Sequence, residues 1–290
     1  KFHNLPELMR SFQLVADIQT SEQLALPVPA IQTGKPQLIV SDPSPYQEEK
    51  MIELGERADA IRQKSVEPHE DNMLKITHEA KLMAIDPRLL DPTVPAYPEG
   101  KLFRCVDNVY RIWKTSDLQH STQIIFSDSG TPKSNQFNVY DEVKQLLIKK
   151  GIPEKEIAFI HSAKNDRQRE ELFEKVRQGE IRILLGSTEK LGTGTNIQDK
   201  LLAVHHVDVP WRPSDLTQRD GRIVRQGNEN KEVQIYRYVA KNSFDSFLWQ
   251  TQENKLKFIN QIMTNKSIAR SAEDIDQTMM SAAEAKSIAT

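Results

Sequence analysis

Cysteine is almost absent: Cys105 stands alone in 290 residues, so no intrachain disulfide and no cysteine-based metal cluster can form. No apolar run approaches the roughly 18 residues that a bilayer-spanning helix needs, and the first twenty residues lack the layout of a signal peptide. Glycine is sparse, and none of it falls in a Gly-x-x-x-x-Gly-Lys-Ser/Thr loop. Gly34-Lys35-Pro36 lacks both the preceding glycine and the hydroxyl that would hold Mg2+. No Asp-Glu-x-His box occurs either. These absences exclude thiol-metal, secreted and membrane-spanning classes, and they remove the usual binders of β- and γ-phosphate, metal and attacking water. The chain opens on Lys1-Phe2 rather than Met, as expected of a piece of a longer polypeptide.

Charge of neither sign dominates, with 39 Lys and Arg against 41 Asp and Glu, but its distribution is uneven. Residues 1–100 hold 10 basic and 16 acidic side chains, and residues 101–290 hold 29 and 25. The first part is therefore negative and the second positive, which suits either ordinary solvated faces or a polyanion docking on the second part.

Two textures follow along the chain. Leu5, Leu8, Met9, Phe12, Val15 and Ala16 recur at helical spacing, which predicts an amphipathic helix over 5–19. Prolines at 27, 29, 36, 43 and 45 forbid a long helix after it and leave room for one short strand over 37–40. Ser44-Pro45 then starts a helix running to about 64, with proline in the first turn where its missing N–H costs nothing. A further helix over 71–85 is closed by Asp86-Pro87, and Pro92, Pro95, Pro98 and Gly100 mark a linker.

After the linker, strand-like and helix-like runs alternate. Strands are predicted over 123–126, 157–161, 182–185, 203–207 and 233–239, and helices over 103–118, 135–150, 167–178, 214–222 and 244–263. Runs such as Ile124-Ile125-Phe126 and Ile183-Leu184-Leu185 are apolar without alternation, which suits a parallel sheet covered on both faces. The expected fold is α/β, a doubly wound parallel sheet flanked by helices, with a mainly helical N-terminal extension. Divisions are drawn at 1–100, 101–265 and a helical tail or linker over 266–290.

Two clusters carry chemistry. Ser187-Thr188-Glu189-Lys190-Leu191-Gly192-Thr193-Gly194-Thr195-Asn196 follows the strand 181–185 directly. Ligands bind at strand ends in such sheets, and glycine lets a backbone approach phosphates closely, although a plain tight turn fits the same residues. The second is Gln218-Arg219-Asp220-Gly221-Arg222-Ile223-Val224-Arg225-Gln226-Gly227. On a helix, Arg222 and Arg225 share a face one turn apart. Paired guanidiniums suit a phosphate, and a solvated basic helix end closed by Gly227 fits as well.

The order of the pieces distinguishes these readings. Gly192-x-Gly194-x-Asn196, a strand, Trp211-x-Pro213 and Gln218-x-x-Gly221-Arg222-x-x-Arg225 resemble the second RecA-like lobe of superfamily-two helicases, and Trp211-Arg212-Pro213 points within them to the Swi/Snf-type DNA translocases. Gln123-Ile124-Ile125-Phe126-Ser127 resembles motif IV. Ile39-Val40-Ser41, Ser44-Pro45-Tyr46-Gln47 and Asp86-Pro87-Arg88-Leu89 resemble the segment leading out of the first lobe. Closer still, the chain resembles the helicase portion of very large phage- and plasmid-borne proteins that also carry an adenine methyltransferase.

The resemblance implies ATP held between two lobes, with Arg222 and Arg225 as arginine fingers. Gln218, Gly192, Gly194 and Asn196 would line the nucleotide side. Ser127, Ser187, Thr188, Lys190 and Trp211 would face the nucleic acid, expected to be duplex DNA bound without sequence preference. Mg2+ ligands and the phosphate-binding loop would belong to an upstream lobe of the same parent, so this chain alone is not expected to hydrolyse ATP. A cytoplasmic, bacterial or phage-borne setting is implied, without membrane contact. The alternative is a non-catalytic DNA- or protein-docking module derived from such a lobe; an unrelated doubly wound enzyme, such as a nucleotide-sugar transferase, leaves the motif order unexplained. His205 and His206 are adjacent on a predicted strand and point to opposite faces, so no metal site is expected there. Trp113 and Trp249 are expected in the core.

Overall fold

Short apolar strands with helical connections cannot pair as hairpins, and in the computed structural model they form one parallel sheet. The structure describes residues 2–3, 7, 10–11, 14–16, 26–192, 195–264 and 271–272. Seven strands build the main sheet: β2 (Ala30–Ile31), β3 (Gln37–Ser41), β4 (Thr122–Phe126), β5 (Ile157–Phe159), β6 (Ile183–Gly186), β7 (Leu201–His206) and β8 (Glu232–Ala240). Their order is β2-β8-β7-β4-β6-β5, and β3 pairs with β8 as well. All pairs are parallel. A separate antiparallel pair joins β1 (Phe2–His3) to β9 (Ser271–Ala272).

β4 lies at the centre and is buried at every position, with β6 on one side and β7 on the other. The chain moves outward from β4 to β5 and β6, then returns past β4 to β7 and β8. That reversal puts the loops after β4, β6 and β7 around one crevice at their carboxyl ends. Alternate side chains along each strand feed two cores. Ile125, Leu185, Ala203 and Tyr238 pack with α3 (Lys101–Thr115) and α4 (Val139–Lys149). Ile124, Leu184, Val204 and Ile235 pack with Phe173 and Val176 of α5 (Asp166–Gln178).

The sheet crosses the division expected at residue 100. Gln37–Ser41 of the N-terminal segment pairs with Tyr236–Ala240, so that segment extends the sheet. Ser44 caps α1 (Pro45–Arg62) with a capping box: its Oγ accepts from the Gln47 amide at 3.2 Å, and its own amide donates to Gln47 Oε1 at 2.9 Å. Gln47 Nε2 then donates to the Met83 carbonyl at 2.7 Å, fastening α1 to α2 (Met73–Ile85). Together α1 and α2 bury Met51, Leu54, Ile76 and Ala80 against Leu216, Val239, Phe244 and Leu248, a third core shared with α7 (Pro213–Asp220) and α8 (Phe244–Thr264). The remaining labelled helix, α6, is the single short turn Thr188–Gly192.

Several boundaries differ from expectation for local reasons. The strand expected over 157–161 stops at Phe159, where Ile160–Ser162 turn into a 3-10 helix. The helix expected from 135 begins at Val139, because Asn138 caps it through the Asp141 amide at 2.8 Å. The helix expected over 5–19 and the tail over 266–290 lie largely outside the described residues. Among the described residues, no helix is long and apolar enough to cross a membrane.

One buried ion pair joins the segments: Lys101, the first residue of α3, meets Asp245 in the first turn of α8, and both are nearly inaccessible. Asp245 Oδ2 also accepts from the Ala240 amide at 3.1 Å. Burial pushes its carboxyl up, opposed by Lys101. Lys101→Met strands that carboxylate and is expected to cost about 3–5 kcal/mol in urea unfolding, with Lys101→Met/Asp245→Leu losing less than the single variant.

Candidate nucleotide and nucleic-acid site

The crevice at the strand ends is organised around a cation. Arg219, on the last turn of α7, has no exposed side-chain surface. Its Nη2 reaches Asp128 Oδ2 at 2.7 Å and Asp208 Oδ1 at 3.0 Å, Nη1 donates to the Asp208 carbonyl at 3.0 Å, and Nε donates to Thr188 Oγ1 at 2.7 Å. The guanidinium lies over the Phe126 ring at 5.1 Å. Asp208 Oδ2 accepts from the amides of Asp128 and Ser129 at 2.8 and 3.0 Å, and Asp128 accepts from the Thr188 amide at 2.6 Å and its hydroxyl at 2.9 Å. One arginine thus ties together the ends of β4, β6 and β7. Burial alone would raise the Asp208 carboxyl; Arg219, and then Lys81, hold it below the ordinary value instead.

Around this hub opens a cleft of about 660 Å³ lined by Asp128, Thr131, His161, Ser187, Thr188, Glu189, Lys190, Arg212, Asp215 and Gln218. Four residues singled out in the sequence, Ser187, Thr188, Lys190 and Gln218, therefore share it. Lys190 is exposed, whereas the Thr188 hydroxyl is committed to Asp128 and Arg219. The run 187–192 is not an open loop: Thr188–Gly192 form α6, with Leu191 driven into the core. That packing dictates Gly186, since a Cβ there would collide with the Leu191 side chain.

Two expected nucleic-acid contacts stand elsewhere. Ser127 is buried and its Oγ donates to the Ser129 carbonyl at 2.8 Å, so the hydroxyl closes its own loop. Trp211 packs on Phe244, with ring centroids 6.0 Å apart, because Gln252 Nε2 donates to the carbonyls of Pro210 and Trp211 and pins the segment to α8. Gly192 ends α6, and Gly194 lies outside the described residues. Asn196 is exposed, and its carbonyl accepts from Arg177 Nη1 at 3.0 Å.

Arg222 and Arg225 are brought together, but not on a helix. Helix α7 ends at Asp220, and the chain continues in tight turns with amides of Ile223 and Val224 both donating to the Asp220 carbonyl. Ile223 is fully buried and anchors the turn. Arg222 Nη1 and Arg225 Nη1 then donate to the same acceptor, the Thr195 carbonyl, at 3.0 and 3.3 Å. Arg222 is buried, and its guanidinium is held below its ordinary value by burial and then by Arg225. Both guanidiniums thus meet at one carbonyl, just after the short α6 helix.

The histidine pair divides between the two sheet faces as the alternation predicts. His205 stacks on Tyr236 at 5.1 Å and bonds Tyr238 Oη and Gln123 Oε1 at 2.9 and 3.0 Å; burial lowers it to about 3, so it is neutral. His206 faces α7 and meets Asp220 Oδ1 at 2.7 Å. Trp249 is buried and Trp113 partly so, its indole N–H donating to Glu156 at 2.7 Å. Arg219 and Asp208, the two most consequential groups of the site, were not distinguished in the sequence. A buried role could be suspected only from Asp208-x-Pro210 directly after a strand and from Arg219 beside Gln218.

Residues 106–227 match the helicase conserved C-terminal domain. Over 93 residues, 32% of this chain, it is 31% identical to the Defense against restriction protein B of Escherichia phage P1, of which the match covers 4%. The matches span between 4 and 15% of the length of the curated relatives. The C-terminal part of the Fun30 ATPase domain superposes with a TM-score of 0.58 at 14% identity, covering 90% of this chain and 96% of that one. The Sulfolobus solfataricus SWI2/SNF2 ATPase core in complex with dsDNA gives 0.52 at 15%, covering 79% and 45%. The fold, a RecA-like parallel sheet flanked by helices, is shared with these two ATPase structures.

Because Asp208 is held low, its contribution to stability is complete above the ordinary Asp value of 3.8 and is lost as pH falls through its lowered one. Arg219→Met leaves that carboxylate buried without its cation and is expected to cost about 3–5 kcal/mol at pH 7. The sign of the pH dependence inverts as well: with its value now raised, Asp208 favours folding at lower pH, so urea stability of the variant should rise from pH 7 to pH 5.

Proposed function

We propose that this helicase C-terminal domain is the second motor lobe of an ATP-dependent DNA translocase, acting only with an upstream lobe of the same parent polypeptide. The observation that carries the reading is the convergence of Arg222 and Arg225 on the Thr195 carbonyl, directly beyond the strand-end crevice residues. In a closed two-lobe state the pair turns to the γ-phosphoryl group of ATP, where fixed cations stabilise the charge that develops in transfer. Gln218 and the 192–196 segment border the nucleotide. Mg2+ and the attacking water are held by residues outside this chain. ATP supplies the driving reaction; these residues orient it and neutralise charge.

The cleft beside the pair takes the phosphate backbone of DNA, through Lys190, Ser187 and Arg212 rather than through Ser127 or Trp211. Contacts of this kind carry no base code, so binding is independent of sequence and steeply salt-dependent. Since Thr195 sits between the paired arginines and the Thr188–Gly192 helix, nucleotide and track act on one short segment, and cleft opening and closing advance the protein along DNA. The phage relative named above supports a phage-borne, cytoplasmic setting.

Joined to its upstream lobe, Arg225→Ala is expected to lower DNA-stimulated turnover by about 10³–10⁵ while ATP binding changes little; unaltered turnover removes the assignment. This chain alone should show no ATPase activity in the same assay. Lys190→Ala should weaken DNA binding equally across sequences and reduce the slope of log K against log salt by about 0.9, measured by fluorescence anisotropy.

A further inference from the structure

The residue between Arg219 and Gly221 has no part in the contacts so far assigned to nucleotide or track, yet it is held from two strands. Asp220 Oδ1 accepts from His206 Nε2 at 2.7 Å, and Oδ2 meets Arg237 Nη2 at 3.5 Å. His206 ends β7 and Arg237 lies opposite it on β8, in register. Both partners are themselves fixed. The His206 ring is stacked on Phe126 at 5.9 Å and meets Trp249 edge-on at 6.2 Å, and the Arg237 guanidinium lies 4.7 Å from the centre of the Trp249 ring. Among the described residues, His206 Nδ1 and Arg237 Nε are buried without a hydrogen-bond partner, so the contacts to Asp220 are made by Nε2 and Nη2. Burial would raise the Asp220 carboxyl, but His206 and then Arg237 hold it ionised.

We propose that Asp220 is a positioning residue for the arginine pair, transmitting the rigid ends of β7 and β8 to the turn that carries Arg222 and Arg225. Its backbone carbonyl accepts from the amides of Ile223 and Val224 at 3.2 and 3.1 Å, so the residue clamped to the sheet is also the one on which the turn closes. A shift of Asp220 therefore displaces both guanidiniums relative to Thr195. A purely stabilising role is already filled one residue earlier, where Arg219 anchors the same helical turn to Asp208 and Asp128. Two adjacent residues pinned to different strands fix orientation as well as place. This inference rests on the reading that Arg222 and Arg225 act on the nucleotide.

The test uses the full parent polypeptide with its upstream lobe, comparing Asp220→Ala, Asp220→Asn and Asp220→Glu with Arg225→Ala. Measured are DNA-stimulated kcat, KM for ATP, Kd for duplex DNA and the urea midpoint. Misplacement of a group by about 1 Å costs on the order of 100-fold, so Asp220→Ala should lose about 10–100-fold in kcat with KM and Kd changed less than about twofold. Asp220→Glu, which keeps the charge, should recover most of the loss. Asp220→Asn keeps the volume and the His206 bond but not the attraction to Arg237; it should fall between, and it carries the test if the alanine variant does not fold. Unchanged kcat in the folded variants, or equal losses in kcat, ATP affinity and DNA affinity that track lost folded protein, overturns the proposal. If Arg225→Ala abolishes turnover while Asp220 variants keep it, the positioning role alone fails. If Arg225→Ala itself leaves turnover intact, the function proposed above fails and this inference falls with it.

Discussion

Arg219 is the constraint on which the crevice depends. A guanidinium removed from water is tolerable only when its donors are matched, and here two carboxylates, a carbonyl and a hydroxyl meet it from three different strand ends. Each partner is in turn bonded to another loop, as Asp208 is to the amides of Asp128 and Ser129. The loops after β4, β6 and β7 therefore cannot move independently. A surface pair of the same composition would contribute little; burial is what turns these contacts into a framework.

That framework decides which side chains are left to meet a ligand. Thr188 and Asp128 line the cleft, yet their polar atoms are largely spent on Arg219 and on each other. Lys190, Arg212 and Ser187 stand at its wall without such commitments to the hub. The arginine pair belongs to a second region, where the chain leaves α7 and turns against the Thr195 carbonyl. The two regions meet through one short piece of chain, the α6 helix and the residues that follow it. Under the proposed function, coupling between nucleotide and track needs no long pathway, only a displacement of that piece.

The N-terminal segment has a share in the same arrangement. Its strand β3 lengthens the edge of the sheet beside β8, and its helices α1 and α2 cover α7 and α8 from behind. Val239, Leu216 and Phe244 lie in a core that neither half of the chain could close alone. A division at residue 100 follows the prolines and the change of texture faithfully, but proline and glycine report local backbone limits and carry no information about which distant strand a short run will join.

Local physics made much of this protein legible before any coordinates. The alternation of short apolar runs with amphipathic ones determined a parallel α/β sheet, Ser44-Pro45 and Asp86-Pro87 marked helix ends, and the adjacency of His205 and His206 placed them on opposite faces. Motif order brought out Gln218, Arg222 and Arg225. Tertiary structure alone decided the rest: that Ser127 turns inward, that Trp211 is held by Gln252 and Phe244, that Arg222 and Arg225 meet beyond a helix rather than along one, and that Arg219 is the buried centre. Periodicity and capping act over a few residues and are written in the sequence directly. Whether an arginine faces solvent or two buried carboxylates depends on groups up to 91 residues away, Asp128 among them, which only the closed sheet brings within 2.7 Å.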